Sequence, residues 1–121
     1  MAKTILVVDD SDISRMIATR ALQAAGYEIL EATNGRTALA LLDGRNINMA
    51  VCDFNMPVMD GIEFVKALRE TRQYKWMPVI MLSVADEQEM LEKGKQAGVN
   101  AWMTKPFSFS DLVKAVNKLC P

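Results

Sequence analysis

The sequence predicts an α/β fold in which a doubly wound parallel sheet is covered on both faces by helices. Three observations carry that prediction. Short apolar runs alternate with amphipathic segments, the runs are continuously apolar where an open antiparallel sheet would alternate, and most amphipathic segments close near a glycine. Five runs and five segments fill 121 residues, which suits one globular domain and argues against a second.

The first run, Thr4–Val8 (TILVV), is β-branched and too short for a helix, so it reads as a strand buried on both faces. Residues 13–25 come next with Ile13, Met16, Ile17, Ala21 and Ala24 on one side, and Gly26 stands just past the C-terminal cap. Glu28–Ala32 (EILEA) mixes charge into a strand pattern, as an edge strand does, and 35–43 reads as a short helix stopped by Gly44. A third buried strand spans 49–52. Pro57 and Asp60-Gly61 then mark a loop whose role reads as simple turn chemistry, before a helix over 62–72. Residues 78–82 (PVIML) form the fourth strand, and Asp86-x-x-Glu89 has the spacing of a capping box for a helix ending at Ala97 before Gly98. A short fifth strand covers 100–103. Ser108-x-x-Asp111 caps a last helix whose buried stripe is predicted as Phe109, Leu112, Val113, Val116 and Leu119.

Composition narrows the chemistry. The chain has no histidine, which excludes His-ligated metals, Ser-His-Asp or Cys-His nucleophiles and any phosphohistidine of its own. Cys52 and Cys120 are too few for a disulfide framework, and Cys52 reads as a small buried hydrophobe. The formal charge of −1 gives no basic footprint for nucleic acid. The N-terminus is no signal peptide and no stretch approaches a membrane span, so a soluble cytoplasmic protein is expected.

Ligands of an open parallel sheet bind beyond the carboxyl ends of its strands, so the residues after each apolar run are the ones to read. These are Asp9 and Asp10, Asp53, Ser83, and Lys105 with Pro106 after it. Singly, each has an ordinary explanation: an aspartate or serine at such a junction is often a helix N-cap, and a lone lysine is often just solvated. Two adjacent aspartates cannot both cap. Three carboxylates converging with a hydroxyl and an ammonium repel one another unless a cation neutralises them, and an all-oxygen cluster lacking His and Cys suits Mg²⁺.

These residues resemble response-regulator receiver domains, particularly the free-standing CheY-like kind. The resemblance rests on four blocks in order: ILVVDDS, DFNMPVMDG, VIMLSVAD and MTKPF. It implies a flavodoxin/CheY-like three-layer sandwich with strand order 2-1-3-4-5, a single receiver domain over 1–121 and no effector domain. Asp53 would be the phosphoacceptor. Mg²⁺ would be held by Asp10, Asp53, the backbone carbonyl of Asn55, and Asp9 through water. Ser83, Val84 and Lys105 would stabilise the phosphoryl group, and the Lys105-Pro106 bond would be cis, as X-Pro bonds permit. Asn55 and Ala85 would set how readily water reaches the acyl phosphate.

The implied donor is a partner histidine kinase, and the implied output is contact with a target protein at the face of the fourth helix, fifth strand and fifth helix. The protein is expected to be monomeric when unphosphorylated, without nucleic-acid or membrane partners. Chemotaxis control and a multistep phosphorelay both fit. Where the family carries Tyr or Phe as its switch aromatic, this chain has Trp102, whose larger ring and N–H can either move inward with the switch or stay outside as part of a docking surface. Two other classes compete. A Mg²⁺-dependent aspartyl phosphohydrolase shares the carboxylates and lysine but places its nucleophile after the first strand in a D-x-D arrangement, usually with a cap domain. A pseudo-receiver would bind partners without phosphorylation, against which the complete set Asp9, Asp10, Asp53, Ser83 and Lys105 argues.

Overall fold

The computed structural model describes residues 2–84 and 88–120. Its elements are β1 (Thr4–Val8), α1 (Asp12–Ala24), β2 (Glu28–Ala32), α2 (Gly35–Ala40), β3 (Met49–Asp53), α3 (Gly61–Arg69), β4 (Val79–Ser83), α4 (Gln88–Ala97), β5 (Ala101–Thr104) and α5 (Phe109–Leu119). The five strands pair in parallel in the order β2-β1-β3-β4-β5. The three apolar runs are the three central strands, and the charged EILEA run lies at an edge with Glu28 and Glu31 exposed. Alternate residues of the central strands supply two separate cores. Leu6, Val8, Ala50, Cys52 and Met81 pack with Phe64, Val65 and Leu68 of α3, whereas Ile5, Val7, Val51, Ile80 and Leu82 pack with Leu22 of α1 and Leu112 and Val116 of α5. This is the three-layer sandwich that the sequence predicts.

Several helices differ from expectation for local reasons. α1 starts at Asp12 because Ser11 caps it, its hydroxyl accepting from the Ser14 amide at 3.2 Å. Its buried face includes Ala18, Ala21 and Leu22, while Ile13, Met16 and Ala24, predicted on that face, are exposed. The helical period is right but its phase is turned, because the sheet meets this helix through small side chains and one leucine. α2 ends at Ala40, short of 43, where Leu41 and Leu42 close back on Ala38 and Leu39 in tight three-residue turns. α3 ends at Arg69, before 72, where the Thr71 hydroxyl donates to the Leu68 carbonyl at 2.7 Å and accepts from the Tyr74 amide at 3.3 Å. Gly26, Gly44 and Gly98 all adopt positive φ near +100° after their helices.

Ser108 caps α5 as expected, accepting from the Asp111 amide at 3.0 Å. Phe109, however, points outward from the first turn and is 52% exposed, so it leaves the predicted stripe, and Val113 and Leu119 are only partly buried. The capping box predicted at Asp86 lies outside the described residues.

The amino end of the sheet is closed by hydrogen bonds. Half-buried Arg69 donates from Nη1 to the carbonyls of Met77 (2.6 Å) and Lys75 (3.1 Å), and from Nη2 to the Gly98 carbonyl (2.6 Å) and Asn100 Oδ1 (3.1 Å). Asn100 Oδ1 also accepts from the first amide of β4, at Val79, and Asn48 Oδ1 accepts from the first amide of β1, at Thr4, both at 2.8 Å. Tyr74, buried in the α3–β4 connection, donates to the Arg45 carbonyl at 2.7 Å and accepts from the Gly44 amide at 2.9 Å. The sequence assigned these residues no role, and their role is to pin the loops.

Candidate functional site

The carboxyl end of the same sheet holds Asp9, Asp10, Asp53, Ser83 and Lys105. Asp53 and Ser83 are the last paired residues of β3 and β4, opposite Leu82 and Thr104 respectively, and not the first residues beyond those strands. The ladder continues through the site: Phe54 N donates to Leu82 O at 2.7 Å, Lys105 N to Ser83 O at 2.7 Å, and Asp9 N to Ala32 O at 3.1 Å. The functional side chains therefore stand on paired backbone, which fixes their separations.

Oxygens of Asp9, Asp10 and Asp53 lie within 4.8 Å of one another. Asp9 and Asp53 are buried, at 1% and 6% exposure, and Asp10 faces solvent. Lys105 reaches between the two buried carboxylates, with Nζ 2.9 Å from Asp9 Oδ2 and 3.3 Å from Asp53 Oδ1. Asp9 Oδ1 accepts from the Ser11 amide at 2.9 Å. With Ser11 as the cap of α1, neither aspartate is spent on capping, which removes the ordinary explanation for the pair.

Burial first, and then the charge of Asp9, raise the Asp53 carboxyl from 3.8 to about 6, with Lys105 acting in the opposite direction and Asp10 adding to the rise. One lysine thus compensates three carboxylates only in part. A small divalent cation fits that deficit, since all the available donors are hard oxygens and one of the three carboxylates is open to water.

The loop from β3 to α3 is shaped more stringently than turn chemistry requires. Asp60 caps α3 in a capping box, accepting from the Glu63 amide at 2.8 Å while Glu63 Oε1 accepts from the Asp60 amide at 3.1 Å. A Cβ on Gly61 would sit 2.5 Å from Met81 Sδ and 2.7 Å from the Asp53 carbonyl oxygen. Glycine here lets α3 start directly beneath the phosphoacceptor candidate, a requirement that the sequence reading of Asp60-Gly61 missed. Val58, at φ 72°, is a β-branched residue in left-handed backbone, spanned by a hydrogen bond from the Met59 amide to the Pro57 carbonyl at 2.8 Å.

The remaining candidates surround this core of the site. Asn55 is exposed at the start of the β3–α3 loop, Ser83 is buried, and Val84 beside it is 73% exposed. The Lys105-Pro106 bond is cis. Ala85 lies outside the described residues. Trp102 is half-buried on β5, its ring centroid 6.1 Å from that of Phe54, and a Cβ on Gly94 of α4 would meet its Cζ3 at 2.6 Å. Its Nε1 is buried with no hydrogen-bond partner among the described residues. Cys52, next to Asp53, is fully buried, and burial pushes its thiol well above the usual range, so it is the inert hydrophobe the sequence suggests. Among the described residues no helix is long and apolar enough to cross a membrane.

The pattern of the response regulator receiver domain family matches residues 5–117. The chemotaxis protein CheY of Pseudomonas aeruginosa is 35% identical over 116 residues, covering 95% of this chain and 94% of that protein. The solved structure of the Vibrio cholerae chemotaxis protein CheY4 superposes with a TM-score of 0.94 at 39% identity, over 98% of this chain and 99% of that one. The receiver domain of the sensor histidine kinase PA1611 from Pseudomonas aeruginosa, which has a magnesium ion coordinated in its active site cleft, is 24% identical and shares the fold with a TM-score of 0.90 over 98% of each chain.

Proposed function

Because the chain belongs to the response regulator receiver domain family, we propose that Asp53 accepts a phosphoryl group from a partner histidine kinase and that the phosphorylated protein signals by protein contact. The observation that carries this reading is the cluster of Asp9, Asp10 and Asp53 within 4.8 Å, closed on one side by Lys105. Asp10, Asp53, the Asn55 carbonyl and, through water, Asp9 would hold Mg²⁺. When bound, Mg²⁺ supplies positive charge to the transferring phosphoryl oxygens.

Everything else is work for the chain's own residues. A carboxyl that titrates near 6 is mostly ionised at neutral pH, so an Asp53 oxygen can attack phosphorus in line. The new P–O bond forms as the P–N bond of the donor phosphohistidine breaks, and that electron pair stays on the donor's imidazole nitrogen. Lys105, already poised between Asp9 and Asp53, pairs with the phosphoryl oxygens, and Ser83 with the adjoining Val84 stabilises them. The acyl phosphate carries about one more negative charge than the carboxylate did, which draws the Ser83 hydroxyl toward it. α4 begins shortly after Ser83, and Gly94 of α4 seats the Trp102 ring, so Trp102 moves with α4 and carries the change to the α4/β5/α5 face. An indole N–H left unpaired in this state costs roughly 1–3 kcal/mol, which favours any shift that gives it a partner.

On this reading the protein is a phosphoacceptor switch and not a turnover enzyme. The chain is read as one receiver domain, cytoplasmic and monomeric before phosphorylation, with a protein target in chemotaxis or a phosphorelay. The test is transfer of radiolabelled phosphate from purified, autophosphorylated histidine kinases. The parent chain is expected to take label from a cognate kinase in the presence of Mg²⁺ and Asp53→Asn to take none. Label on Asp53→Asn equal to the parent would overturn the assignment, and steady hydrolysis of a phosphate ester would favour the phosphohydrolase.

A further inference from the structure

The acidic pair is held from behind by a residue that the phosphoryl chemistry does not use. Arg15, on the first turns of α1, donates from Nη1 to the main-chain carbonyl of Asp9 at 2.8 Å, from Nη2 to Asp12 Oδ1 at 2.7 Å and from Nε to Glu31 Oε1 at 3.2 Å. Its side chain is only 15% exposed. Glu31 is itself tied down: it pairs with Val7 in the β1–β2 ladder, and the Thr19 hydroxyl donates to the same Oε1 at 3.2 Å. Three segments that the chain must bring together, the β1–α1 junction, α1 and the end of β2, therefore meet at one guanidinium.

The Asp9 carbonyl belongs to the peptide unit joining Asp9 to Asp10, so fixing that oxygen fixes the plane from which Asp10 departs. Asp9 has further restraints, from the Ser11 amide, from Lys105 and through its own amide on Ala32. The Asp10 carboxylate is exposed and takes no hydrogen bond among the described residues, so its direction depends on the backbone behind it. We propose that Arg15 is a positioning residue for the cation site: by clamping the Asp9–Asp10 peptide unit it aims the Asp10 carboxylate at Mg²⁺. The inference rests on the reading of the acidic cluster as a Mg²⁺ site.

Charge alone would act in the opposite sense. A cation near the site repels Mg²⁺, so removing it without disturbing geometry would strengthen binding. A positional role and an electrostatic role thus predict shifts of opposite sign, and Arg15→Lys separates them by keeping the charge and losing the planar fork that serves three acceptors.

The experiment is calorimetric titration of the parent, Arg15→Lys and Glu31→Gln with Mg²⁺ alone, each first melted without Mg²⁺ to establish that it is folded. Arg15→Lys is expected to weaken Mg²⁺ binding by about tenfold, the lower end of what loss of an outer-shell partner does to a metal site. Glu31→Gln, which loosens the clamp from its far side and leaves Arg15 in place, is titrated at high ionic strength, where the loss of one anion by itself is screened; a shift in the same direction is expected there too and keeps the test open should Arg15→Lys not fold. With a small-molecule phosphodonor, the Mg²⁺ concentration for half-maximal phosphorylation rises in Arg15→Lys while the rate at saturating Mg²⁺ changes little. A parent that does not bind Mg²⁺ overturns the Mg²⁺ reading and this inference with it. A parent that binds, beside folded variants that bind equally well or better, overturns the inference alone.

Discussion

The two ends of one parallel sheet are built on opposite terms. At the amino end, Arg69, Asn100, Asn48 and Tyr74 saturate carbonyls and amides of the loops, and each of these side chains meets neutral partners. At the carboxyl end, three carboxylates crowd one lysine, and burial raises the acid that matters most to about 6. The strands are the same, so the difference lies in the residues that end and flank them. The closed end supplies the stability that lets the open end carry uncompensated charge, which is what a site for a cation and a phosphoryl group requires.

Breaking the closed end should have the largest effect. Arg69→Ala removes four hydrogen bonds from a half-buried guanidinium and is expected to cost about 3–4 kcal/mol of unfolding free energy, since bonds to a charged group are worth roughly 1.5–3 kcal/mol each and do not add fully. Urea denaturation measures it, and a loss below about 1 kcal/mol would mean that the clasp is incidental.

Relieving the open end should do the reverse. The folded protein holds the Asp53 proton up to about pH 6, whereas the unfolded chain releases it near 3.8, so this group makes stability fall as pH rises from about 4 to about 6. The loss amounts to about 2–3 kcal/mol, at 1.36 kcal/mol per pKa unit. Asp53→Asn is expected to be more stable than the parent by that order at pH 8, to lack this fall, and to accept no phosphate. Mg²⁺ should flatten the same slope in the parent. Denaturation midpoints collected from pH 4 to pH 8 decide it, and an Asp53→Asn protein no more stable than the parent at pH 8 would contradict the repulsion argument.

A third variant joins the core beneath α3 to the site. Gly61→Ala drives a methyl group into Met81 and the Asp53 carbonyl, an overpacking expected to cost about 1–3 kcal/mol and to slow phosphorylation of the folded fraction. Gly94→Ala should be nearly neutral in stability, because the roughly 1 kcal/mol gained in helix propensity offsets the clash with Trp102. It should nevertheless expel the indole. In a Trp76→Phe background, which removes the other, exposed tryptophan, acrylamide quenching of Trp102 should rise clearly; unchanged quenching would show that the ring is not seated on Gly94.

Strand identity and the membership of the site were legible because they depend on apolar runs and on the polar residues that end them, whereas the strand order was legible only through the resemblance to receiver domains. Asp9, Asp53, Ser83 and Lys105 stand at strand ends wherever a parallel sheet forms from this pattern. The phase of α1 was not legible: Ile13 and Met16 look like core residues, yet the apolar side chains that the sheet buries from this helix are Ala18, Ala21 and Leu22. Phe109 failed for a related reason, since a first-turn residue of α5 projects beyond the edge of the core. Nor could periodicity reveal Arg15 or Arg69, whose roles come from carbonyls brought together by the fold and not from neighbours in sequence. Gly61 carries a signal that turn chemistry alone understates, because a glycine opening a helix directly after a cap residue has a steric reason as well as a turn.

The central claim is that Asp53, in a cation-dependent acidic site, is the phosphoacceptor. It is tested most directly by intact-protein mass after exposure to a small-molecule phosphodonor, with and without Mg²⁺, for the parent and Asp53→Asn. The parent should gain the mass of one phosphoryl group only when Mg²⁺ is present, and Asp53→Asn should gain none. The same gain in Asp53→Asn, or an undiminished gain in the parent when Mg²⁺ is removed, would contradict the account.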